Sequence, residues 1–393
     1  MDSKEQTERR PVALGAVLRE WGRIGCTGFG GPPAHIALLR KLCVEQRGWI
    51  TEGDFEDGIA ATNLLPGPAS TQLAIFTAWR LRGVPGALVG GIAFIVPGLA
   101  MILALAALFL ADSPPLWVKG AAAGAGAAVA AVAVQAAASL APASWKRAGA
   151  LRAARARWAA YALAGALAAM LIGPWMVLVL LAAGAAEVAV RTRRTQPHQG
   201  RRTAWPLPLA AAAPAAGGLL AVAWVAFKVG ALSYGGGFVI IPLMQANAVH
   251  TYHWMTDSQF LNAVALGQIT PGPVVQTVAV VGYAAAGVPG GLLAAAVAFT
   301  PSFLFVILGA PRFDRLRADA RVQAFLTGAG PAVIGAITGS AVPLALALQH
   351  PWQDGVLAAA AVWLLAARRG VVGTLLGAAA LGVGAALIGW PVS

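Results

Sequence analysis

Residues 63–72 read Asn-Leu-Leu-Pro-Gly-Pro-Ala-Ser-Thr-Gln, and residues 268–277 read Gln-Ile-Thr-Pro-Gly-Pro-Val-Val-Gln-Thr. Each copy lies within a long, mostly apolar part of the sequence. Pro-Gly-Pro cannot continue a helix, because proline lacks the backbone N–H and its ring clashes with the preceding turn. We therefore expect a helix to break at each copy and a fresh one to begin after it, with Ser, Thr or Gln in its first turns.

The composition around these breaks indicates a membrane protein. Of 393 residues, 59% are apolar and 11% are charged, whereas soluble proteins carry roughly 25% charged residues. Uncharged stretches such as 83–111, 258–311 and 322–353 exceed the length that spans a bilayer. These features argue against a soluble enzyme, a disordered chain and a disulfide scaffold. We expect an all-α polytopic membrane protein with about ten membrane-embedded helices, since each span needs about 20 residues.

The net charge of +13 does not indicate a nucleic-acid partner. The basic residues form short clusters between uncharged runs, which is typical of cytoplasmic loops that face anionic lipid. We therefore expect the chain to be embedded in a lipid bilayer and to bind no nucleic acid.

An internal duplication extends outward from the two Pro-Gly-Pro motifs. A shift of 205 residues, and of 204 after one residue is lost, overlays several tripeptides and tetrapeptides that chance does not readily produce. The matching segments are 29–31 with 234–236, 49–51 with 254–256, 66–68 with 271–273, and 83–86 with 287–290. We predict a first membrane repeat over 1–190, a basic cytoplasmic linker over 191–208 and a second membrane repeat over 209–393.

The charges predict that the repeats are inverted. Basic loops occur at 80–82 and 146–157 in the first half and at 312–321 and 368–369 in the second, while the equivalent loops of the other half carry no basic residue. Because basic loops stay in the cytoplasm, equivalent loops lie on opposite sides. Strict inversion requires an odd number of crossings before each Gly-Val-Pro-Gly and would place the N-terminus outside. The arginines near the N-terminus favour the inside, so the sequence leaves this side open.

A second broken-helix motif also occurs in each half. It reads Gly-Phe-Gly-Gly-Pro-Pro-Ala-His over 28–35 and Ser-Tyr-Gly-Gly-Gly over 233–237. Helix N-termini attract anions through free N–H groups and the helix dipole, and inverted-repeat transporters bind substrate at such breaks near the midplane. Four helix starts would suit a tetrahedral oxyanion. The alternative is a set of kinked packing helices that bind nothing.

Two isolated cations precede the Gly-Gly breaks. Lys228 stands in apolar surroundings, and its equivalent at a shift of 205 is Arg23. A charge at membrane depth costs at least ~2.5–3.5 kcal/mol on insertion scales, so we predict that both cations face an anion path. The alternative is that they snorkel to the interface.

The candidate substrate-binding residues come from these motifs and cations. They are Arg23, Gly30, Gly31, His35, Asn63, Pro66, Gly67, Pro68, Ser70, Thr71, Gln72, Lys228, Tyr234, Gly235, Gly236, Gln268, Thr270, Pro271, Gly272, Pro273, Gln276 and Thr277. Asp57 and His35 are candidates for proton coupling, although Asp57 also fits a helix start and His35 a packing role.

The sequence contains no signature of an enzyme or a resident cofactor. It lacks the nucleotide-binding P-loop motif, the common intramembrane hydrolase motifs and any Cys/His spacing typical of a metal site. We therefore expect a secondary transporter without a cofactor, driven by the membrane potential or a proton gradient. An intramembrane enzyme remains the alternative from a different class.

The segments 29–37, 63–74, 233–237 and 268–273 resemble the chromate ion transporter (CHR) family in its long form, with both halves in one chain. The resemblance covers roughly 12–390 and implies chromate export across a bacterial inner membrane, which confers chromate resistance. Sulfate is the chemically similar alternative substrate. The second half departs from the pattern, with Gly237-Phe238 in place of Pro32-Pro33 and without the histidine. Whether the chain forms a homodimer is left open.

Overall fold

A computed structural model of the chain describes residues 12–63, 65, 67–111, 113–171, 176–192, 218–233, 240–310 and 318–392. These residues form helices and connecting loops, and no strand occurs among them. Within this part of the chain, four helical segments are long and apolar enough to cross a membrane: Ala69–Phe109, Leu116–Ala148, Val274–Gly309 and Ala320–Leu346. The prediction of an all-α polytopic membrane protein is confirmed, whereas the count of about ten embedded helices remains a prediction.

The helices follow the same order in both halves. The first half contains α1 (Leu14–Thr27), α2 (Pro32–Arg40), α3 (Glu52–Thr62), α4 (Ala69–Phe109), α5 (Leu116–Ala127), α6 (Val129–Ala148), α7 (Arg152–Leu171) and α8 (Met176–Thr192). The second half contains α9 (Leu219–Leu232), α10 (Ile240–Gln245), α11 (Asp257–Ile269), α12 (Thr277–Gly309), α13 (Ala320–Leu346), α14 (Pro351–Ala361) and α15 (Val371–Leu387). Three π-helical turns extend α2, α10 and α14: Lys41–Gln46, Ala246–Thr251 and Val362–Ala366.

Equivalent elements agree closely between the halves. Helices α1 and α9 each contain 14 residues and are offset by 205, as are the first two π-helical turns. At an offset of 204, Gly83 and Gly287 interrupt α4 and α12 with φ of +59° and +62°. Glycine reaches positive φ without the steric penalty of other residues, which explains why both interruptions carry it.

The chain folds back on itself at these two interruptions. A Cβ atom added to Gly86 would collide with the carbonyl oxygen of Ala78, and one added to Gly290 would collide with that of Gly282. In a straight helix, residues with this spacing lie about 12 Å apart. Each Gly-Val-Pro-Gly is therefore a tight turn between two antiparallel helical segments.

The first-half elements before this turn return to the end where they began. Arg82 donates a hydrogen bond of 3.1 Å to the carbonyl oxygen of Val12, before α1, and Arg80 pairs with Asp54 at the start of α3. Helix α1 is about 21 Å long at 1.5 Å per residue, shorter than the ~30 Å hydrocarbon core. The number of crossings before Gly-Val-Pro-Gly stays a prediction, because re-entrant segments do not count as crossings.

Helix α13 runs in the opposite direction to its first-half equivalents, α5 and α6. Glu187 binds Arg157, near the start of α7, and Arg191, at the end of α8. A Cβ atom on Gly328, in the first third of α13, would lie 2.7 Å from the Cβ atom of Glu187. Helix α13 therefore begins at the end of the molecule that carries Arg157 and Arg191, which is the end where α6 finishes. At an offset of 204, α13 is the equivalent of α5 and α6, so it runs in the reverse direction.

The later helices of each half pack on the other half. Helices α7 and α8 lie against α13, and α5 lies against α15. Glycines line these contacts, since a Cβ atom on Gly335 would collide with the carbonyl oxygen of Ala162, and one on Gly124 with that of Ala378. Small residues let membrane helices approach to backbone contact, so the two halves interlock.

The centre of the molecule is the contact between α4 and α12. Helix α1 packs on α4, where a Cβ atom on Gly25 would lie 2.6 Å from the carbonyl oxygen of Phe94. Helix α9 packs on α12 through the equivalent Gly230 and Ala298. These crossings bring the ends of α1 and α9 to the centre, beside the two Pro-Gly-Pro loops.

Candidate functional site

The two Pro-Gly-Pro loops have the same backbone geometry. Gly67 has φ of +125° and Gly272 has φ of +100°, which favours glycine at both positions. Pro68 caps the start of α4, and Pro273 caps a 3₁₀ turn (Val274–Gln276) that continues into α12. Neither proline caps its helix with a side-chain hydrogen bond, so the N–H groups of each first turn remain available.

Each loop is hydrogen-bonded to the first helix of the other half. The amide of Gly272 donates to the carbonyl oxygen of Gly28, at the end of α1, over 3.1 Å. The amide of Gly67 donates to the carbonyl oxygen of Ser233, at the end of α9. Gly28 and Ser233 are equivalent at an offset of 205, so a symmetric pair of hydrogen bonds joins the halves at the site.

His35 adds a connection that only the first half possesses. Its side chain is fully buried, its Nε2 lies 2.8 Å from the carbonyl oxygen of Gly28 and its Nδ1 lies 3.2 Å from the hydroxyl of Ser70. Because a carbonyl can only accept, Nε2 carries the proton, and in the neutral ring Nδ1 accepts from Ser70. The ring also meets Phe94 edge to face. The Gly28 carbonyl thus accepts from His35 and from the second Pro-Gly-Pro loop.

Buried polar atoms without a hydrogen-bond partner among the described residues gather around the loops. They are Thr71 Oγ1, Ser233 Oγ, Gln268 Nε2, Gln276 Oε1 and Ser302 Oγ. Leaving a buried donor or acceptor unsatisfied costs roughly 1–3 kcal/mol, and such groups in a folded protein require an explanation. A polar ligand bound beside the loops would satisfy them.

The hydroxyls of Thr71 and Ser302 differ from those of most Ser and Thr residues in these helices. Thr77 and Thr300, for example, each donate to the carbonyl one turn earlier. Thr71 lies in the first turn of α4, and Ser302 follows Pro301 in α12. Their hydroxyls remain free to bind another group.

The cations Arg23 and Lys228 occupy equivalent positions but differ in environment. The Arg23 side chain is 60% exposed and lies 3.0 Å from the Glu20 carboxylate. Lys228 is half-buried and donates to the Asn247 side chain over 2.8 Å. Among the described residues, neither cation makes a hydrogen bond or ion pair with a Pro-Gly-Pro loop. Their role in substrate binding stays a prediction.

The other candidates fall into three groups. Gly30 and Gly31 form the turn between α1 and α2, with φ of +99° and +72°. Thr270 and Thr277 donate their hydroxyls to carbonyls of nearby turns. The exposed residues are Asn63, at the end of α3, and Asp57, within it. Pro66, Tyr234, Gly235 and Gly236, together with most of the predicted linker, lie outside the described residues.

Comparison with known proteins identifies the family. The chain matches the family model "Chromate transporter" over residues 15–188 and again over 220–389. The chain belongs to the chromate transporter family. It is 35% identical over 332 residues to the chromate transport protein of Cupriavidus metallidurans, covering 82% of this chain and 80% of that protein. It is 30% identical over 353 residues to the probable chromate transport protein of Synechococcus elongatus, covering 87% and 88% respectively. No solved structure matches the chain.

Sequence reasoning missed one part of this transporter's site, the proline kinks of α4 and α12. Gly98 follows Pro97, and Ser302 is its equivalent at an offset of 204. A Cβ atom on Gly67 would lie 3.0 Å from Ser302 Oγ, and one on Gly98 would collide with the carbonyl oxygen of Pro271. Each loop therefore contacts the kink of the other half. The match of Pro97 with Pro301 was the available signal.

The two loop sites are not chemically equal. At the second loop, Gln276 donates its Nε2 over 2.8 Å to the carbonyl oxygen of Ile95, before the kink of α4, and the kink residue Gly98 has no side chain to offer. At the first loop, the kink supplies the Ser302 hydroxyl, which has no partner among the described residues. The first Pro-Gly-Pro loop therefore has more unpartnered hydrogen-bond donors beside it than the second.

Proposed function

We propose that this chain exports chromate across the bacterial inner membrane and thereby confers resistance to chromate. The single observation that carries this proposal is the pairing of the two Pro-Gly-Pro loops across the halves, with unpartnered hydroxyls buried beside them. Family membership and relatives named as chromate transport proteins supply the substrate.

The chemistry of the loops suits a small tetrahedral dianion. Chromate offers only acceptor oxygens, and the Thr71 and Ser302 hydroxyls are buried donors. The start of α4 adds N–H groups and the positive end of the helix dipole, equivalent to roughly half an elementary charge. Gly67 and Gly272 add no side chain to the loops, so that an oxyanion can approach the free N–H groups in the first turn of α4.

The architecture suits alternating access. The halves are inverted, and each loop is attached to the other half, so a rocking motion of one bundle against the other would open the loops to each side in turn. Basic loops remain in the cytoplasm, which places the Arg80–Arg82 turn, the start of α1, the Arg191 end of α8 and the start of α13 there.

The membrane potential favours export of a dianion. Each elementary charge that crosses is worth ~2.3 kcal/mol per 100 mV, so a dianion leaving a negative interior gains roughly 4.6 kcal/mol per 100 mV. A proton moving inward would add to this driving force, and the buried His35 is the candidate carrier at the loops. An experiment must therefore distinguish the membrane potential from the proton gradient as the driving force.

Uptake into everted membrane vesicles tests the function. Vesicles containing the protein should accumulate radiolabelled chromate, whereas vesicles containing the Gly67→Ala variant should not. Collapsing the potential and the proton gradient separately identifies the driving force, and unlabelled sulfate tests the alternative substrate. Absence of chromate accumulation under every gradient would refute chromate export, and preferential uptake of labelled sulfate would assign the same machinery to sulfate.

A further inference from the structure

A cleft lies between α1 on one side and α2 with the π-helical turn Lys41–Gln46 on the other. The cleft has a volume of about 300 Å³. Its lining combines four polar side chains, two of them cationic, with an apolar wall: Arg23, Thr27, Lys41 and Gln46, and Ile24, Leu38 and Leu42. This cleft is separate from the Pro-Gly-Pro loops, although Thr27 directly precedes Gly28.

The charges beside the cleft are strongly unbalanced. Glu20 is 4% exposed. Its carboxylate forms ion pairs with three guanidiniums, at 2.8 Å from Arg47, 3.0 Å from Arg23 and 4.0 Å from Arg19. Lys41 has no hydrogen bond or ion pair with any described residue. Three guanidiniums thus share the Glu20 carboxylate, and Glu45, in the same turn as Lys41, makes no ion pair with a described residue.

The second half shows a different arrangement at this position, in which the cation has a partner within the protein. Lys228 is the equivalent of Arg23, and there Asn247 accepts its hydrogen bond at 2.8 Å. At an offset of 205, Asn247 replaces Leu42, and Ala246 replaces Lys41. The second half therefore has one cation with an internal partner, where the first half has two cations lining a cleft.

The position of the cleft connects it with the loops. Helix α1 starts beside the Arg80–Arg82 turn and ends at Gly28, which is hydrogen-bonded to the second Pro-Gly-Pro loop. The cleft lies along the second half of α1, between these two points. An anion that entered from the basic end would meet the cleft before it reached the loops.

We infer that this cleft is an entry site that holds a tetrahedral oxyanion group between Arg23 and Lys41. The inference rests on the proposed export of an oxyanion and adds a first binding step to it. A free oxyanion and the phosphate of an anionic lipid share this chemistry. A cationic cleft raises the local concentration of anions and the rate of their capture, and salt screens the effect.

Transport kinetics of the full-length chain in proteoliposomes of neutral phosphatidylcholine test the entry site. For Lys41→Gln and Arg23→Gln we expect the KM for chromate to rise about tenfold, with kcat unchanged and a weaker dependence of KM on ionic strength. The matched control is Lys119→Gln, an exposed cation at the start of α5, which should leave KM unchanged.

Addition of phosphatidylglycerol distinguishes the two sources of the anion. If the occupant is lipid phosphate, phosphatidylglycerol raises the thermal stability of the wild type but not of Lys41→Gln, and KM in phosphatidylcholine does not respond to the substitution. If neither KM nor this lipid effect changes, the entry site is refuted while chromate export stands. If the wild type transports no chromate, the proposed function fails, and the lipid measurement still decides whether the cleft binds an anion.

Discussion

The backbone amide of Gly272 donates a hydrogen bond of 3.1 Å to the carbonyl oxygen of Gly28, which fastens the second Pro-Gly-Pro loop to the first helix of the other half. The equivalent bond from Gly67 to Ser233 fastens the first loop in the same way. A shift of one half against the other must therefore move both loops. This coupling explains how an inverted repeat can convert a rocking motion into a change at the centre of the molecule.

Substitution of His35 should weaken this connection. His35→Ala removes the donor to Gly28 and the acceptor for Ser70 and leaves a cavity in a fully buried place. We expect a loss of stability of about 2–4 kcal/mol from the cavity and the unpaired groups, together with a loss of transport. Thermal unfolding and vesicle uptake measure the two effects. The exposed His250 provides the control, since His250→Ala should change neither. Normal uptake by His35→Ala would show that the histidine connection is dispensable.

Substitution of Gly67 should abolish transport. In Gly67→Ala the new Cβ atom would meet the Gln72 side chain at a φ of +125°, and a non-glycine residue with positive φ costs roughly 1–3 kcal/mol. Gly373→Ala is the matched control, because Gly373 lies in α15 with nothing within 4 Å of an added Cβ atom. We expect at least a tenfold fall in the initial rate of uptake for Gly67→Ala and none for Gly373→Ala. Equal rates would mean that the loop backbone does not contact substrate.

Removal of the Ser302 hydroxyl should separate stability from function. The hydroxyl is buried without a partner in the described part of the chain, so Ser302→Ala should leave the melting temperature unchanged or raise it, since an unsatisfied buried group costs roughly 1–3 kcal/mol. The KM for chromate should nevertheless rise about tenfold, as expected for one lost hydrogen bond to a charged ligand. Ser340→Ala is the control, because the buried Ser340 hydroxyl donates to the Ile337 carbonyl. A destabilised Ser302→Ala with normal KM would assign Ser302 to packing.

Neutralisation of Glu187 should act on stability. This carboxylate is 2% exposed, binds both Arg157 and Arg191 at 2.8 Å, and lies against α13. Glu187→Gln leaves two partly exposed guanidiniums without their anion, and the loss of a hydrogen bond to a charged group costs roughly 1.5–3 kcal/mol. Chemical or thermal unfolding should report this loss, with Asp354→Asn, at an exposed position of α14, as the comparison. Unfolding curves that coincide with the wild type would contradict this structural role.

The sequence predicted the breaks and the repeat well because these features are local. Pro-Gly-Pro and Gly-Val-Pro-Gly restrict the backbone wherever they occur, and their offsets of 205 and 204 match the helix starts and the φ values of Gly83 and Gly287. Long uncharged runs likewise predict embedded helices.

Contacts between distant parts of the chain could not be predicted from the sequence. Apolar composition does not distinguish α1, about 21 Å long, from a true span, so the sequence leaves the number of crossings before the first Gly-Val-Pro-Gly open. The contact of Gly67 with the Ser302 kink joins residues far apart in the chain, and no local pattern encodes it. Charge counting drew attention to Arg23 and Lys228. Arg47, which shares the Glu20 carboxylate with Arg23, and Asn247, which accepts from Lys228, come from turns that lie beside these cations only in the fold.

The most direct measurement of the central claim is an experimental structure with bound chromate, located by the anomalous scattering of chromium. We expect the chromium peak beside the first Pro-Gly-Pro loop, with chromate oxygens within hydrogen-bonding distance of the Ser302 and Thr71 hydroxyls. A peak on the lipid-facing surface, or a chromate-bound structure in which Gly67 and Gly272 contact only protein, would contradict the account.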